Sequence, residues 1–310
     1  MTETGGIPYR ALGRTGELVS LVGLGGFHMG RAASEQEAIT LVRTALDSGV
    51  NFLDNCWSYH GGLSEVLMGK ALRDGYRDKA FLMTKIDARS KRVAAGQIDE
   101  CLRRLQVKTI DLLQIHEIIR LEDPGWVFAP DGAIEALVEA RQAGKIRFIG
   151  FTGHKDPTCH LKMLKVAAEQ GFRFDAVQMP LNVLDHHYQE HSFEKQVLPV
   201  LVEQGIGVLG MKPLSSGRVP TSGTATATEC LHYAMSLPTS VVITGCESLA
   251  TLDQALAAVR SYQPPSQEET ATLLARTAEL GAAGDLEPFK TTTAHDSTTH
   301  HPDWMWEKVA

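Results

Sequence analysis

Short runs rich in Val, Ile, Leu and Phe recur along the chain, and each is long enough for one buried strand. We place eight of them, beginning near Leu18, Val50, Lys79, Thr109, Ile146, Phe174, Ile206 and Thr239. Successive starts lie 28 to 37 residues apart, close to the ~30 residues that one strand, a crossover helix and their turns require. The pattern therefore predicts eight successive βα units.

The segments between these runs carry helix signals. Ser34 and Glu37 form a capping-box pattern before an apolar-periodic stretch that ends at Gly49, and Asp156 followed by Pro157 is typical of a helix start. Eight βα units in series predict an α/β fold, a closed (β/α)8 TIM barrel. The alternative is an open, doubly wound sheet, but that fold usually has fewer strands and a G-x-G-x-x-G turn after the first one. No such motif stands there.

A β-hairpin is predicted before the barrel. Residues Tyr9 to Ser20 hold Gly13-Arg14-Thr15-Gly16 between short apolar runs, a typical turn sequence. We expect this hairpin to close the N-terminal end of the barrel.

The C-terminal part of the chain breaks the pattern. A predicted helix from Ser266 to Leu280 is followed by a stretch rich in Thr and His and then by Trp304 and Trp306. We interpret the chain as one domain over residues 1–310, with a helical and irregular C-terminal arm over about residues 262–310. The aromatic pair of this arm is a candidate to fold back over the barrel mouth.

Composition and charge narrow the class of protein. The 310 residues are 43% hydrophobic, 22% charged and 6% aromatic, as expected for a globular protein with a full core. The net charge is −7 without a long basic run, so neither nucleic acid nor a membrane surface is an expected partner. The five cysteines form no C-x-x-C pair, and neither a signal pattern nor a stretch of ~20 apolar residues is present. We therefore expect a cytoplasmic protein without a disulfide framework or a cysteine zinc site.

Polar side chains stand at the ends of three successive predicted strands. Asp54 ends the second strand, Lys85 the third and His116 the fourth, while Tyr59 lies on the loop after the second. In a (β/α)8 barrel these strand ends converge on the rim where active sites are built. We therefore expect the four side chains to share one site.

A carboxylate, a phenol, an ammonium and an imidazole can together protonate a carbonyl oxygen. The pKa of tyrosine is normally about 10, and an adjacent ammonium lowers it by stabilising the phenolate. We predict that Lys85 acts in this way on Tyr59, which becomes the general acid. Asp54 would hold the lysine by a charge-assisted hydrogen bond, and His116 would orient or polarise the carbonyl.

Each of these residues also has a purely structural explanation. A carboxylate can bridge strands, a lysine can end a strand in solvent, and an aromatic ring can simply pack. For any one of them alone that explanation is favoured, whereas the four together favour chemistry. His187 and His191 have the spacing of one helical face, but neither H-E-x-x-H nor a carboxylate set accompanies them. We therefore predict no metal site.

These residues lie in motifs that resemble those of the aldo-keto reductase family. The first group of motifs is Leu12-Gly13-Arg14-Thr15-Gly16, Asp54-Asn55-Cys56-Trp57-Ser58-Tyr59-His60-Gly61 with Ser64-Glu65 and Gly69, Thr84-Lys85 and Ile115-His116. The second group is Ile149-Gly150-Phe151-Thr152-Gly153, Val177-Gln178, Pro213-Leu214 with Ser216-Gly217, and Gly245 with Ser248. The resemblance covers roughly residues 8 to 260 in the expected order.

The resemblance implies a carbonyl reductase that prefers NADP(H) and uses no metal, with Tyr59 as proton donor. It also implies cofactor contacts, first near the nicotinamide carboxamide, then near the pyrophosphate, and last near the adenosine. The candidates in chain order are Thr152, Gly153, Gln178, Met211, Lys212, Pro213, Leu214, Ser216, Gly217, Gly245 and Ser248. For Lys212, a phosphate contact and a role in capping its strand are equally consistent with the sequence.

The chain departs from the family pattern at three cofactor positions. Thr152-Gly153 stands where many members have Ser-Asn, and Met211 stands where many have an aromatic ring. The stretch Glu247 to Ala255 contains no Lys or Arg, the residues that best pair with a 2′-phosphate. NAD is therefore possible as well as NADP.

Loops on the same rim supply candidates for the substrate pocket, although packing explains each of them equally well. They are Phe27, His28, Trp57, His60 and Asn182. The predicted function is reduction of a small aldehyde or ketone, or the reverse oxidation of an alcohol. One alternative is a regulatory subunit that binds the cofactor as a redox sensor. A metal-dependent barrel hydrolase is another, but it should carry several His and Asp ligands at its strand ends.

Overall fold

The computed structural model describes residues 3–282 and 284–307. A small antiparallel sheet comes first, formed by β1 (Glu3–Thr4), β2 (Ile7–Ala11) and β3 (Leu18–Ser20). In the turn between β2 and β3, Gly13 has a φ of 53° and Gly16 a φ of 84°, values that glycine adopts without strain. The predicted N-terminal hairpin is thus confirmed.

Across residues 3–282 and 284–307, eight strands form a closed parallel barrel in which each strand pairs with the next along the chain. They are β4 (Val22–Gly25), β5 (Phe52–Asp54), β6 (Phe81–Ile86), β7 (Ile110–Ile115), β8 (Ile146–Thr152), β9 (Ala176–Pro180), β10 (Gly207–Met211) and β11 (Val241–Gly245). The barrel closes where Val242 of β11 lies opposite Val22 of β4. The predicted (β/α)8 TIM barrel is confirmed.

The first strand boundary differs from the sequence prediction. The run that begins at Leu18 is predicted as the first barrel strand, but Leu18–Ser20 pairs with β2 and the barrel strand begins at Val22. Ser20 explains the break, because its hydroxyl donates to the Val22 carbonyl (2.7 Å) and accepts from the Asn51 amide (3.0 Å). The other strands begin at or within two residues of the predicted positions.

Helices surround the barrel between the strands. The α-helices of the described residues are Gly26–Met29, Glu35–Asp47, Leu63–Ala71, Lys91–Leu105, Asp123–Val127, Ala133–Gln142, Pro157–Glu169, Phe193–Gln196, Leu198–Gln204, Arg218–Thr221, Ala227–Ser236, Leu249–Arg260, Gln267–Ala282, Pro288–Thr291 and Ser297–His300. Short 3-10 turns cover Tyr59–Gly62, Tyr76–Lys79, Gln189–His191 and Pro302–Trp304. The two predicted N-caps are present: Ser34 accepts from the Glu37 amide (3.1 Å), and Asp156 accepts from the Thr158 amide (2.7 Å). No helix in these residues is long and apolar enough to cross a bilayer.

Apolar side chains fill the lower part of the barrel. Phe52, Phe81 and Leu112 lie in one buried cluster inside the ring of strands. Leu12 and Val19 of the hairpin belong to the same cluster, so the hairpin forms the floor of the barrel. Because this end is closed by packing, polar side chains can gather in the interior only toward the carboxyl ends of the strands.

The chain after the last long helix returns to the carboxyl ends of β6 and β7. The Met305 carbonyl accepts from the Arg89 amide (2.9 Å), and the Trp304 carbonyl accepts from Gln97 Nε2 (2.9 Å). Residues 284–307 are therefore tied to the loop after β6 and to the helix that follows it. We call this segment the arm.

The two tryptophans of the arm pack against two others. The Trp304 ring lies edge-on to Trp57 and the Trp306 ring edge-on to Trp126, each with centroids 5.6 Å apart. Trp57 in turn donates from Nε1 to Glu100 of the Lys91–Leu105 helix (2.7 Å). The predicted fold-back of the aromatic pair thus covers loops at the rim. That residues 1–310 form a single domain stays a prediction.

Candidate active site

Three of the four predicted side chains form one buried hydrogen-bonded group. Asp54 ends β5 and Lys85 lies in β6, and both are almost inaccessible to solvent. The Lys85 ammonium donates to the Asp54 carboxylate, to the Asn55 carbonyl (2.8 Å) and to the Tyr59 hydroxyl (3.3 Å). The lysine is thus held at its three donor positions, with the phenol as one of its partners.

Tyr59 begins a tight turn that aims its ring at the barrel mouth. The next residue, His60, has a φ of 53°, and two glycines with positive φ follow it. Burial, followed by the charge of Asp54, raises the pKa of Tyr59 well above its ordinary value. The sequence prediction of a lowered pKa is therefore wrong, because the positive charge of Lys85 is neutralised by Asp54 and the phenol is desolvated.

The fourth side chain, His116, follows β7 and stands beside the phenol. Its ring is edge-on to that of Tyr59, with centroids 6.1 Å apart. Nδ1 lies 2.7 Å from Asp87 Oδ1 and 3.4 Å from Cys56 Sγ. Burial disfavours the imidazolium, but Cys56 and Asp87 outweigh it, and the pKa of His116 is raised well above its ordinary value. With Nδ1 engaged, Nε2 is the nitrogen left for a substrate.

Buried charges that the sequence prediction missed hold this histidine in place. Arg89 is completely buried, and its Nη2 donates to the carbonyls of His116 and Glu117 (both 2.9 Å), while Nε donates to Asp123 (2.9 Å). The sequence signal that could have identified Asp87 and Arg89 is a period of two. Lys85, Asp87 and Arg89 have the spacing of residues on one face of an extended chain.

Glu117 connects this loop to the arm. Its Oε2 accepts from the backbone amide (2.7 Å) and the hydroxyl (2.9 Å) of Thr298, and its Oε1 accepts from the Ser297 amide (3.0 Å). Burial alone would raise its pKa, but His116, His154 and these donors hold the pKa of Glu117 below its usual range. An ionised carboxylate therefore anchors the arm next to His116.

Candidate nicotinamide contacts lie on the neighbouring strands β8 and β9. Thr152 and Gln178 are register partners and both are buried. Gln178 Nε2 donates to Asp54 Oδ2 (3.2 Å), whereas Gln178 Oε1 has no partner among the described residues. Gly153 allows close packing, because an added Cβ would lie 2.3 Å from the Ile118 carbonyl oxygen. A buried acceptor without a partner fits the amide group of a nicotinamide.

Met211 ends β10, and the candidate pyrophosphate contacts form the sharply bent loop that follows it. Lys212, Ser216 and Gly217 have φ values of 55°, 57° and 80°, and Pro213 and Leu214 lie between them. The Lys212 ammonium lies 4.8 Å from the centroid of the Phe289 ring. Burial and the charge of Lys85 lower the pKa of Lys212 to about 8. The loop thus offers one cation close to the four side chains of Asp54, Tyr59, Lys85 and His116, which we call the tetrad.

The candidate adenosine contacts lie at the end of β11 and the start of the next helix. Ser248 caps the Leu249–Arg260 helix. Gly245 packs under His28, since an added Cβ would lie 2.1 Å from the imidazole Cδ2. The carboxylate of Glu247 pairs with His28 Nδ1 (2.7 Å) and with Arg31 (3.5 Å). A carboxylate therefore lies beside the candidate adenosine contacts, paired with one histidine and one arginine.

The candidate pocket residues separate into two groups. Phe27 lies edge-on to Tyr59 (5.3 Å) and so borders the phenol, and His60 stacks on Phe27 (4.9 Å). His28 and Trp57 instead make the contacts with glutamates described above. Asn182 is buried and donates to the Lys212 carbonyl (3.2 Å) and to Glu287 (3.0 Å). Of these five side chains, only that of Phe27 packs its ring against a ring of the four predicted catalytic residues.

The fold and the relatives define the chain as an oxidoreductase on a (β/α)8 barrel. Residues 21–230 match the sequence model of the Aldo/keto reductase family, and the chain belongs to this family. Its activity class is NAD(P)H-dependent reduction of small carbonyl compounds.

Named relatives extend over most of the barrel. L-galactose dehydrogenase of Arabidopsis thaliana is 32% identical over 235 residues, which are 70% of this chain and 68% of the relative. Aldo-keto reductase YhdN of Bacillus subtilis (strain 168) is 30% identical over 218 residues, 65% of this chain and 60% of the relative. Among solved structures, the holo form of aldo-keto reductase AKR11C1 from Bacillus halodurans superposes with a TM-score of 0.73 at 25% identity, covering 87% of this chain and 96% of that one.

Proposed function

We propose that the chain reduces an aldehyde or ketone with NAD(P)H, or oxidises the matching alcohol, with Tyr59 as the proton donor and Asp54, Lys85 and His116 as its partners. The observation that carries this proposal is the Lys85 ammonium, which donates to both the Asp54 carboxylate and the Tyr59 hydroxyl. This geometry links the phenol to a fixed positive charge at the rim where barrel enzymes act.

The roles follow from charge. Because its pKa is raised, Tyr59 holds its proton at neutral pH. When the proton moves to the carbonyl oxygen, negative charge develops on the phenol oxygen, and the ammonium of Lys85 stabilises it from 3.3 Å. Asp54 holds the lysine in place, and the free Nε2 of His116 orients the carbonyl oxygen beside the phenol.

The chain also fits the cofactor that this chemistry needs. When bound, the nicotinamide supplies the hydride that reduces the carbonyl carbon. The unpartnered Oε1 of Gln178 would accept from its carboxamide, with Thr152 and Gly153 beside it. The loop from Met211 through Lys212, Pro213 and Leu214 to Ser216 and Gly217 would bind the pyrophosphate, and Gly245 and Ser248 the adenosine end. Because a carboxylate at Glu247 would repel a 2′-phosphate bound beside it, we propose that NADH is accepted as well as NADPH.

The substrate is a small carbonyl compound in this proposal. Phe27 borders the phenol and, with His60 stacked on it, would form one wall of the pocket. The name of the plant relative, L-galactose dehydrogenase, supports including aldoses among the compounds tested. Reactive small aldehydes are the general probe for reduction.

A tyrosine variant tests the proposal. In Tyr59→Phe we expect turnover to fall by about 10²- to 10⁴-fold, the usual contribution of a positioned general acid. Quenching of NADPH fluorescence should show nearly unchanged affinity, because the hydroxyl is needed in the chemical step. Tyr262→Phe is the matched control, since that hydroxyl donates only to the Met235 carbonyl (3.2 Å). Unchanged turnover in Tyr59→Phe contradicts the assignment of the acid.

A further inference from the structure

Three metal-ligand side chains meet behind the imidazole of His116. Cys56 follows β5, Asp87 follows β6 and His116 follows β7, so three consecutive strand ends supply them. Their ligand atoms all lie within 4.8 Å of one another, and Cys56 and Asp87 are completely buried. Elsewhere in residues 3–282 and 284–307, no other set of three His, Cys, Asp or Glu side chains meets the same condition.

We propose that Cys56, Asp87 and His116 Nδ1 form a site for a thiophilic divalent cation, and that Zn²⁺ fits it best. Thiolate sulfur, imidazole nitrogen and carboxylate oxygen are the ligands that Zn²⁺ takes, at about 2.0–2.3 Å. Ligand atoms of one tetrahedron then lie roughly 3.2–3.8 Å apart, and the sulfur and Nδ1 are already 3.4 Å apart. Mg²⁺ and Ca²⁺ are disfavoured because they require mainly oxygen ligands.

An unpartnered buried atom supports the same site. Asp87 Oδ1 faces His116 Nδ1, but Asp87 Oδ2 has no hydrogen-bond partner among the described residues. A buried carboxylate oxygen without a donor is costly, and a cation bound beside it would remove that cost. Three protein ligands also leave the fourth tetrahedral position open. The Ser58 hydroxyl lies 3.3 Å from Cys56 Sγ.

The consequence is inhibition by zinc. The cation would replace the thiol proton and the proton between Nδ1 and Asp87, so the net charge of the site would not change. Because Nδ1 and Asp87 Oδ1 are 2.7 Å apart and two ligands of one tetrahedron need at least about 3.2 Å, the imidazole would have to shift, and its Nε2 would leave the position that orients the carbonyl. Inhibition rests on the proposed function, whereas binding does not.

Cobalt spectroscopy tests binding without any turnover. The metal-stripped full chain is titrated with Co²⁺ under reducing conditions, and we expect one equivalent to produce a sulfur-to-cobalt charge-transfer band together with the visible bands of a tetrahedral site. Zn²⁺ should displace it. A spectrum without the sulfur band, or a Zn²⁺ Kd weaker than about 1 mM, overturns the proposal.

Variants assign the ligands. Cys56→Ser should abolish the sulfur band and weaken Zn²⁺ binding by more than the ~10-fold that loss of an outer-shell partner produces. Asp87→Asn should keep the band but weaken binding, and it serves as a second test should Cys56→Ser fail to fold. Cys230→Ser is the matched control, because Cys230 lies buried in the Ala227–Ser236 helix. A band that persists in folded Cys56→Ser contradicts the site.

Activity measurements then distinguish the metal site from the proposed reductase function. If wild-type turnover is present, Zn²⁺ should inhibit it and Cys56→Ser should resist. If the cobalt band is present but no carbonyl compound is reduced, the metal site stands and the proposed function fails.

Discussion

At the level of single residues, the pKa of Tyr59 shows how the effect of one neighbouring charge can be cancelled by another. Lys85 alone would favour the phenolate, but Asp54 shares the same ammonium and the site is buried. The pKa of Tyr59 therefore rises, and the phenol stays protonated. The lysine still matters, because it is positioned to stabilise the charge that appears only when the proton leaves.

Removing the lysine should destabilise the fold as well as the reaction. Asp54 would remain buried with only Gln178 as a side-chain donor (3.2 Å). We expect Lys85→Met to lower the free energy of unfolding by about 3–5 kcal/mol, as for other broken buried ion pairs. Urea denaturation of the full chain measures this loss. The double variant Asp54→Asn/Lys85→Met should recover part of it, and a Lys85→Met chain as stable as wild type contradicts the expectation.

Lys212 predicts a pH dependence of cofactor affinity. Its pKa is lowered to about 8, so the ammonium is charged below that pH and loses its charge above it. If this cation binds the pyrophosphate, the affinity for NADPH should fall as the pH rises from 7 to 9. Fluorescence titration should show a flat profile in Lys212→Met, while Lys212→Arg stays charged and keeps its affinity. If the affinity of Lys212→Met for NADPH still falls as the pH rises, another group is responsible for the pH dependence.

At the scale of elements, the N-terminal hairpin depends on one close backbone contact. An added Cβ at Gly13 would lie 2.4 Å from the Gly207 amide nitrogen at the start of β10, and the φ of Gly13 is 53°. Gly16 in the same turn has a φ of 84° but nothing within 4 Å of its Cβ position. The two glycines thus share a left-handed backbone conformation and differ in packing.

This difference gives a matched pair of variants. We expect Gly16→Ala to cost about 1 kcal/mol from its left-handed backbone alone. Gly13→Ala should cost about 1–3 kcal/mol more, because the methyl group is forced against β10. Thermal or urea unfolding measures both. Equal losses would mean that the hairpin moves away from the barrel without penalty.

The start of the Leu249–Arg260 helix should set the choice of cofactor. Glu247 stands there as a carboxylate, paired with His28 and Arg31. We expect Glu247→Arg to raise the affinity for NADPH relative to NADH by about 10-fold, the value of one charge-assisted hydrogen bond. Asp253→Arg, an equal charge change at an exposed position of the same helix, should leave the ratio unchanged. A ratio unaffected by Glu247→Arg would place the 2′-phosphate elsewhere.

At the scale of the whole molecule, the barrel could be predicted from the sequence because the βα unit that builds it repeats at a regular spacing. Each strand needs a helix to return to the same edge, and this requirement fixes the ~30-residue spacing seen from Val50 to Thr239. The spacing does not separate the hairpin strand Leu18–Ser20 from the first barrel strand. The apolar run of Leu18–Ser20 continues into β4, and the hydrogen bonds of Ser20 mark the break between the two strands.

Less of the candidate site than of the fold could be predicted from the sequence. The tetrad follows from strand order, because neighbouring strand ends must meet on one rim. The period of two indicates that Lys85, Asp87 and Arg89 share a face, but it does not give the partners of Asp87 and Arg89 in the histidine loop, which depend on the fold around the strand end. The pKa of Tyr59 depends on burial, a property of the assembled barrel.

The anchoring of Glu117 links two distant parts of the polypeptide. Its oxygens accept from Ser297 and Thr298, 180 and 181 positions further along. The tetrad itself lies within residues 54–116, but the loop behind His116 has these donors only when the arm is docked. The support of His116 therefore depends on a segment that contributes no side chain to the tetrad.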